Sequence, residues 1–340
     1  MITTKDGQDP RVLEDEFYAD GFRFSYSSLS KLLYSPPLFY KHYVLKDKDE
    51  EVSKSMLEGS IVHCLLFNPE DFERVYTIAQ CTVPGENVKD VIDKLHEIRM
   101  VEMDDPSISE ARNSLAQYES EILDILKEKN LYQKMTDPVK ISKIVNETGI
   151  EYFSFLMDCL GKTVIDTDTY SKCCEIVEKI KNNPVSKLMG LDDPDDCEVM
   201  SEVEISTGSD DFPFGLKGQL DNLVIDRKNK LIRINDLKIT SKLLTDFPQA
   251  VIDYNYWLQA ALYSRLAGFV SKATNSEDYT VVFNFVVHDK TGQIYAFEVS
   301  QDTMTEWQID LQEKLHEAKY HYESRDYSLP YKFVKSKVML

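Results

Sequence analysis

The sequence predicts an α/β fold: a mixed β-sheet flanked by helices, with a large helical insertion. Three observations lead to this prediction. Residues 279–288 are an apolar run typical of a buried central strand, residues 217–240 alternate like a β-hairpin, and residues 85–189 have helical periodicity. The chain of 340 residues is 42% hydrophobic and 29% charged, which suits a globular protein with a substantial core.

The chain is expected to form one domain over residues 21–340, with the helical insertion at about 85–189. Residues 1–20 are polar and acidic, so we expect a flexible lead-in and no signal peptide. No run of 18 apolar residues is present, which predicts no membrane span. The six cysteines form no CxxC pair, which is typical of a reducing compartment. A cytoplasmic protein is therefore expected.

The first chemically informative element is a helix predicted from Met56 to Phe67. Gly59 and His63 are four residues apart in it and so lie on one helical face. A glycine there leaves room for the sheet or for a ligand beside the imidazole. A lone histidine on an apolar helix is more often a packed core residue, so both interpretations stay open from the residues alone.

The strand predicted over residues 198–206 is followed by the hairpin. In the strand, Val199, Val203 and Ile205 are expected on one face and Met200, Glu202 and Glu204 on the other. This alternation is typical of an ordinary strand with one solvent face.

The hairpin joins strands over residues 217–226 and 231–240 through a turn at 227–230. If the turn is symmetric, Asp221 lies opposite Asp236, and both share a face with Lys238. Facing carboxylates destabilise a hairpin, and a hard divalent cation between them removes the conflict. A metal beside a lysine and carboxylates can cleave phosphodiesters, although an amphipathic hairpin with a charged rim explains the pattern equally well.

The remaining elements complete the sheet and its helices. A helix is predicted over residues 248–267, in which Gln259 and Tyr263 share a face as an i, i+4 pair. Residues 294–299 are predicted to pair with the central strand, and a long amphipathic helix is expected over 304–325.

Five short signatures, taken in order, resemble the PD-(D/E)XK nuclease superfamily. They are the GxxxH motif ending at His63, a strand glutamate (Glu202, or else Glu204), Asp221, the Asp236-Leu237-Lys238-Ile239-Thr240 segment and the Gln259-x-x-x-Tyr263 pair. The set is most similar to the RecB-type branch, and within it to the nuclease domain of exodeoxyribonuclease VIII and its phage relatives. The resemblance covers residues 22–80 and 198–300 and implies a restriction-endonuclease-like sheet.

The resemblance also implies roles for these residues. Asp221, Asp236, Lys238 and Glu202 would be catalytic, while His63, Asp221, Asp236 and the Leu237 carbonyl would hold Mg²⁺ or Mn²⁺. Gln259, Tyr263 and Lys217 would bind substrate; relatives often carry an arginine where this chain has Gln219, and Lys217 is the nearest basic residue. No cysteine follows Cys197, so the iron–sulfur cluster of some relatives is not expected.

The function implied is a metal-dependent exonuclease that hydrolyses DNA from duplex ends, for recombination or repair. Such an enzyme would work in the cytoplasm of a bacterium or phage-infected cell, as a homo-oligomer, with a single-strand annealing protein as a possible partner. The alternatives are a RecB-type endonuclease or single-strand nuclease, and a non-catalytic DNA-binding accessory protein with the same fold.

The charge distribution bears on DNA binding. The net charge is −20, but residues 215–245 contain seven Lys or Arg and three Asp, a local excess of +4. A basic track on an acidic body is compatible with phosphate binding, because local potential matters more than net charge. We therefore expect the hairpin to face DNA.

Overall fold

The structure is a computed structural model. It describes residues 9–19, 21–47, 53–104, 112–159, 161–191, 197–275 and 278–336.

Strands and helices follow the predicted α/β pattern. The strands are β1 (Arg23–Phe24), β2 (Tyr76–Ile78), β3 (Thr163–Ile165), β4 (Cys197–Thr207), β5 (Gly215–Asp226), β6 (Leu231–Ile239), β7 (Thr280–His288) and β8 (Ile294–Val299). The helices are α1 (Pro10–Ala19), α2 (Tyr26–Tyr34), α3 (Pro36–Phe39), α4 (Lys54–Phe67), α5 (Phe72–Val75), α6 (Glu86–Asp104), α7 (Glu119–Glu128), α8 (Asp137–Ile144), α9 (Glu147–Asp158), α10 (Thr167–Lys181), α11 (Val185–Leu188), α12 (Phe247–Asp253), α13 (Tyr256–Ala273), α14 (Gln301–Ser324) and α15 (Tyr331–Lys335).

The chain divides into two compact units. One comprises Met1–Asn68 and Glu175–Leu340, and the other comprises Pro69–Cys174. The second unit contains α5–α9, the parallel pair β2–β3 and a core of its own around Ile92, Tyr118 and Phe153. The insertion predicted at about 85–189 overlaps this unit, which begins and ends earlier in the chain.

The first unit contains the mixed sheet that the sequence predicted. β5 is antiparallel to both β4 and β6, β7 is parallel to β6, and β8 is antiparallel to β7. β1 adds a short parallel pairing at the start of β5. Helices α2, α13 and α14 bury their apolar residues on one face of this sheet, and α4 lies against β5 and β6 outside that core. The predicted fold class is confirmed.

A ladder of buried asparagines crosses three strands of the sheet. Asn284 donates to Asn235 at 3.0 Å, Asn235 donates to Asn222 at 2.7 Å, and Asn222 donates to the Met189 carbonyl at 3.1 Å. All three are at most 1% exposed. Buried amides are costly unless paired, so this chain of hydrogen bonds fixes the strand register and anchors the turn after α11.

The ends of several helices differ from the predictions. Residues 10–19 of the expected flexible lead-in form α1, whose Leu13 and Phe17 are buried; residues 1–8 and 20 lie outside the described residues. The helix predicted over 248–267 is in fact two helices, because Asn255 has a left-handed φ of 56° between α12 and α13.

Within the described residues no helix has both the length and the apolar composition needed to cross a bilayer.

Candidate active site

The site begins where strands β5 and β6 separate. Their pairing runs from Asp226 and Leu231 to Asn222 and Asn235 and stops there, one step before Asp221 and Asp236. The predicted register is correct up to that point. Beyond it, the carboxylate of Asp221 accepts a hydrogen bond at 2.8 Å from the backbone N–H of Leu237. An acidic side chain thus takes the place of a neighbouring strand.

β4 is distorted at the same level of the sheet. Ser201 pairs with Asn222 and Val203 pairs with Leu220, but Glu202 between them is unpaired and has φ of 51°. A left-handed backbone costs a glutamate about 1–2 kcal/mol.

This distortion reverses the alternation of β4. Met200 packs on the main core together with Val203 and Ile205, whereas Val199 faces Gly190 on the other side. The predicted grouping of Met200 with Glu202 and Glu204 is therefore wrong, because regular alternation assumes an extended residue at every position.

Three possible ligands converge at this point. One nitrogen of His63 and one carboxylate oxygen each from Glu202 and Asp221 lie within 4.8 Å of one another. Nδ1 of His63 is 3.8 Å from Oε1 of Glu202 and 3.7 Å from Oδ2 of Asp221. Its Nε2–H donates to the Leu237 carbonyl at 3.1 Å, which orients Nδ1 toward the carboxylates.

Electrostatics explain how two carboxylates tolerate each other here. Burial lowers the pKa of His63, but attraction to Asp221 and a hydrogen bond with Glu202 outweigh it and raise that pKa to about 9. A protonated His63 offsets the charge of the carboxylates, and a metal bound at Nδ1 would take the place of that proton. Gly59, one turn before His63, faces open space, so neither the sheet nor a side chain fills the gap expected there.

Asp236 and Lys238 form a separate buried pair. Nζ of Lys238 lies 2.6 Å from Oδ2 of Asp236, and the two side chains are 17% and 1% exposed. Burial raises the pKa of Asp236. Burial lowers the pKa of Lys238, but attraction to Asp236 and Asp221 outweighs that effect, so the pKa of Lys238 is raised. Lys238 also lies over the ring of Tyr256, 4.9 Å from its centroid.

The predicted substrate-binding residues occupy different environments. Gln259 donates to Oδ1 of Asp236 at 2.8 Å and so braces the buried pair. Tyr263 is 8% exposed and belongs to the core, with its ring where a side chain at Gly218 would otherwise lie. Lys217 is exposed on β5.

Ion pairs reduce the basic excess of the hairpin. Arg227 pairs with Glu198, Lys230 with Asp278 and Arg233 with Asp226, in addition to the pair of Lys238 with Asp236. Asp226 and Asp236 are already counted in the excess of +4, so only Glu198 and Asp278 reduce it, to +2 over residues 215–245.

Comparison with known proteins defines the class. The family model of the PD-(D/E)XK nuclease superfamily matches residues 23–328, and this chain belongs to that superfamily. The family indicates a nuclease, and nucleases of this superfamily use divalent metals.

Individual relatives are remote. A crystal structure of a protein named "Putative exonuclease" from Eubacterium rectale is 12% identical, covers 96% of this chain and 87% of its own, and has a TM-score of 0.43. The structure of a protein called SSO0001 is 14% identical, with 67% and 87% coverage and a TM-score of 0.24. No curated protein matches this chain.

The residues present fit a divalent metal of the kind the superfamily uses. His63, Glu202 and Asp221 supply one nitrogen and two carboxylate oxygens, a donor set suited to Mg²⁺ or Mn²⁺. Asp236, which the sequence also places among the ligands, contacts Lys238 and Gln259, and its role as a ligand stays a prediction. The Leu237 carbonyl, also a predicted ligand, accepts the His63 hydrogen bond.

Sequence reasoning missed Tyr256, which contacts Lys238. The sequence pattern that could have indicated it is Tyr254-Asn255-Tyr256, a pair of aromatic residues of which the second lies three residues before Gln259.

We predict that Glu202→Gly separates the fold from the metal site. Glycine adopts the left-handed backbone freely, so the melting temperature should equal or exceed that of the wild type, while stabilisation by added Mn²⁺ should disappear. Differential scanning fluorimetry over a Mn²⁺ series measures both.

Glu204→Gly is the matched control, because Glu204 lies two residues away, is exposed and is not left-handed. It should lower the melting temperature slightly and keep the Mn²⁺ response. An undiminished Mn²⁺ shift in Glu202→Gly would contradict a ligand role for Glu202.

Proposed function

We propose that the protein is a Mg²⁺- or Mn²⁺-dependent DNA exonuclease that hydrolyses phosphodiester bonds from duplex ends. The observation that carries the proposal is the position of the Lys238 ammonium, fixed by Asp236 and Tyr256 beside the group of His63, Glu202 and Asp221. After burial, the charge of Lys238 is a second effect that lowers the pKa of His63, so the lysine lies near that group.

The mechanism assigns a task to each group. His63, Glu202 and Asp221 would hold the metal, whose chemistry there is to polarise a water and offset charge on the phosphate. Lys238 is oriented by Asp236 and would position the attacking water or the scissile phosphate. Gln259 keeps Asp236 in place from the opposite oxygen. Tyr263 packs against Gly218 in the core. The exposed Lys217 would contact the DNA backbone.

The finer assignment rests on the order of the motifs. GxxxH, the strand glutamate, Asp221, the Asp236–Thr240 segment and Gln259…Tyr263 occur as in the RecB-type branch, near exodeoxyribonuclease VIII. That branch favours action on duplex ends, a role in recombination or repair, and a single-strand annealing partner in a cytoplasmic setting.

The substrate is tested with end-labelled linear duplex, a covalently closed circle and a single-stranded oligonucleotide, each with Mn²⁺. An exonuclease acting on duplex ends should shorten the linear duplex progressively and leave the circle intact. Cleavage of the circle would favour the endonuclease, and preference for the oligonucleotide the single-strand nuclease. Binding without cleavage of any substrate would favour the accessory protein.

The Asp236–Lys238 pair requires a double-mutant design. Both side chains are largely buried, so an alanine at either position would leave an unpaired buried charge, which destabilises a protein by about 3–5 kcal/mol. We therefore use Asp236→Asn, Lys238→Gln and the double variant.

We predict that all three lose cleavage by about 100-fold or more, while the double variant unfolds at higher urea concentration than either single variant. Inactivity in the most stable variant then cannot be attributed to unfolding. Near wild-type turnover by any of them would overturn the assignment of this pair.

We propose a ring-like homo-oligomer from the resemblance alone. Relatives that act processively on duplex ends form such rings. Light scattering coupled to size exclusion, with and without duplex DNA, should give a closed oligomer with DNA engagement that weakens as salt rises. A strict monomer that still degrades long duplexes processively would rule the ring out.

A further inference from the structure

Next to Lys238, an exposed tyrosine is held in a fixed position. The side chain of Tyr254 is 48% exposed, yet its ring centroid lies 5.6 Å from that of Tyr256. The ring of Tyr256 in turn contacts Nζ of Lys238. Tyr254 is thus one aromatic ring away from the lysine of the candidate active site, with much of its own surface open to solvent.

The contact between the two rings depends on the break between α12 and α13. In a continuous helix, residues i and i+2 point in nearly opposite directions and do not meet. Here Asn255 adopts φ of 56°, which places both tyrosines on the same side. The sequence therefore places asparagine, which adopts the left-handed conformation more readily than most residues, at the position that brings Tyr254 to Tyr256.

Two hydrogen bonds hold this turn. The hydroxyl of Tyr26 donates to the Tyr254 carbonyl at 2.6 Å, and the indole N–H of Trp257 donates to Oδ1 of Asn255 at 3.2 Å. Tyr26 also lies near Asp236, whose charge contributes to raising the pKa of Tyr26 after the larger effect of burial. The turn therefore lies close to the pair formed by Asp236 and Lys238.

An ordered, exposed aromatic ring beside a phosphodiester-cleaving site suits one ligand chemistry in particular. Every nucleobase has a flat π face, and stacking a base on an aromatic side chain contributes about 1–3 kcal/mol with little sequence preference. A base inside a duplex is covered on both faces by its neighbours, so it can stack on a side chain only after leaving the helix.

We propose that Tyr254 is a stacking platform for an unpaired nucleobase adjacent to the scissile phosphate. It is a positioning residue, and the proposal rests on the nuclease function proposed above. It narrows the substrate at the metal site to a strand whose terminal nucleotides have separated from the complementary strand.

Binding measured without turnover tests the proposal. A labelled duplex with a short single-stranded extension is titrated in Ca²⁺, which we expect to support binding but not cleavage, because its loose coordination misplaces the attacking water. Tyr254→Ala should raise Kd about 5- to 100-fold. Tyr254→Phe should remain within about twofold of wild type, because stacking needs the ring and not the hydroxyl.

Tyr295→Ala is the matched control. Tyr295 is 56% exposed and also packs on one aromatic neighbour, Phe297, but lies on β8. Its removal should leave Kd unchanged. An equal loss of affinity in both alanine variants would mean that any exposed aromatic ring contributes to binding, and it would overturn the proposal.

Abasic substitutions make the test specific. The nucleotides of the extension are replaced one at a time by an abasic residue. The difference in Kd between wild type and Tyr254→Ala should then vanish at one position only. A constant difference at every position, or none in the intact substrate, would overturn the stacking role. If instead the wild type neither binds this DNA in Ca²⁺ nor cleaves it in Mn²⁺, the nuclease function itself fails.

Discussion

The candidate site depends on the point at which β5 and β6 part. A backbone N–H in a sheet needs an acceptor, and when a neighbouring strand diverges another group must supply it. Asp221 does so for Leu237, so its carboxylate is held rigidly at the fork. The same strand segment carries Leu237's carbonyl to His63. One local break in pairing therefore places a carboxylate and an imidazole side by side without any flexible loop.

The sequence predicted the parts of the site that follow from regular geometry. Alternation and a symmetric turn were sufficient for the strand register as far as Asn222 and Asn235. The reversal at Glu202 and the helix break at Asn255 could not be predicted, because both are left-handed residues that neither alternation nor helical periodicity reveals. Such positions are typical of functional sites, where tertiary contacts hold a strained backbone.

Charge counting along the sequence was misleading for a related reason. It sums residues 215–245 as a basic segment, whereas the fold brings outside acids to two of its seven cations, Glu198 to Arg227 and Asp278 to Lys230. Binding to DNA must then rely on fewer free cations and on groups that are not charged. Stacking on aromatic rings is one such contribution that salt screens little, and it would compensate for a surface of net negative charge.

Lys238 links stability to chemistry. An ammonium group removed from water is costly, and here a carboxylate 2.6 Å away and an aromatic face offset the cost. The same contacts restrict the ammonium to one direction, as a group that positions water or phosphate requires. The tyrosine that stabilises the lysine also supports the exposed Tyr254. In the proposed mechanism, the aromatic residues around the break between α12 and α13 serve the active site as well as the core, and their spacing before Gln259 is readable in the sequence.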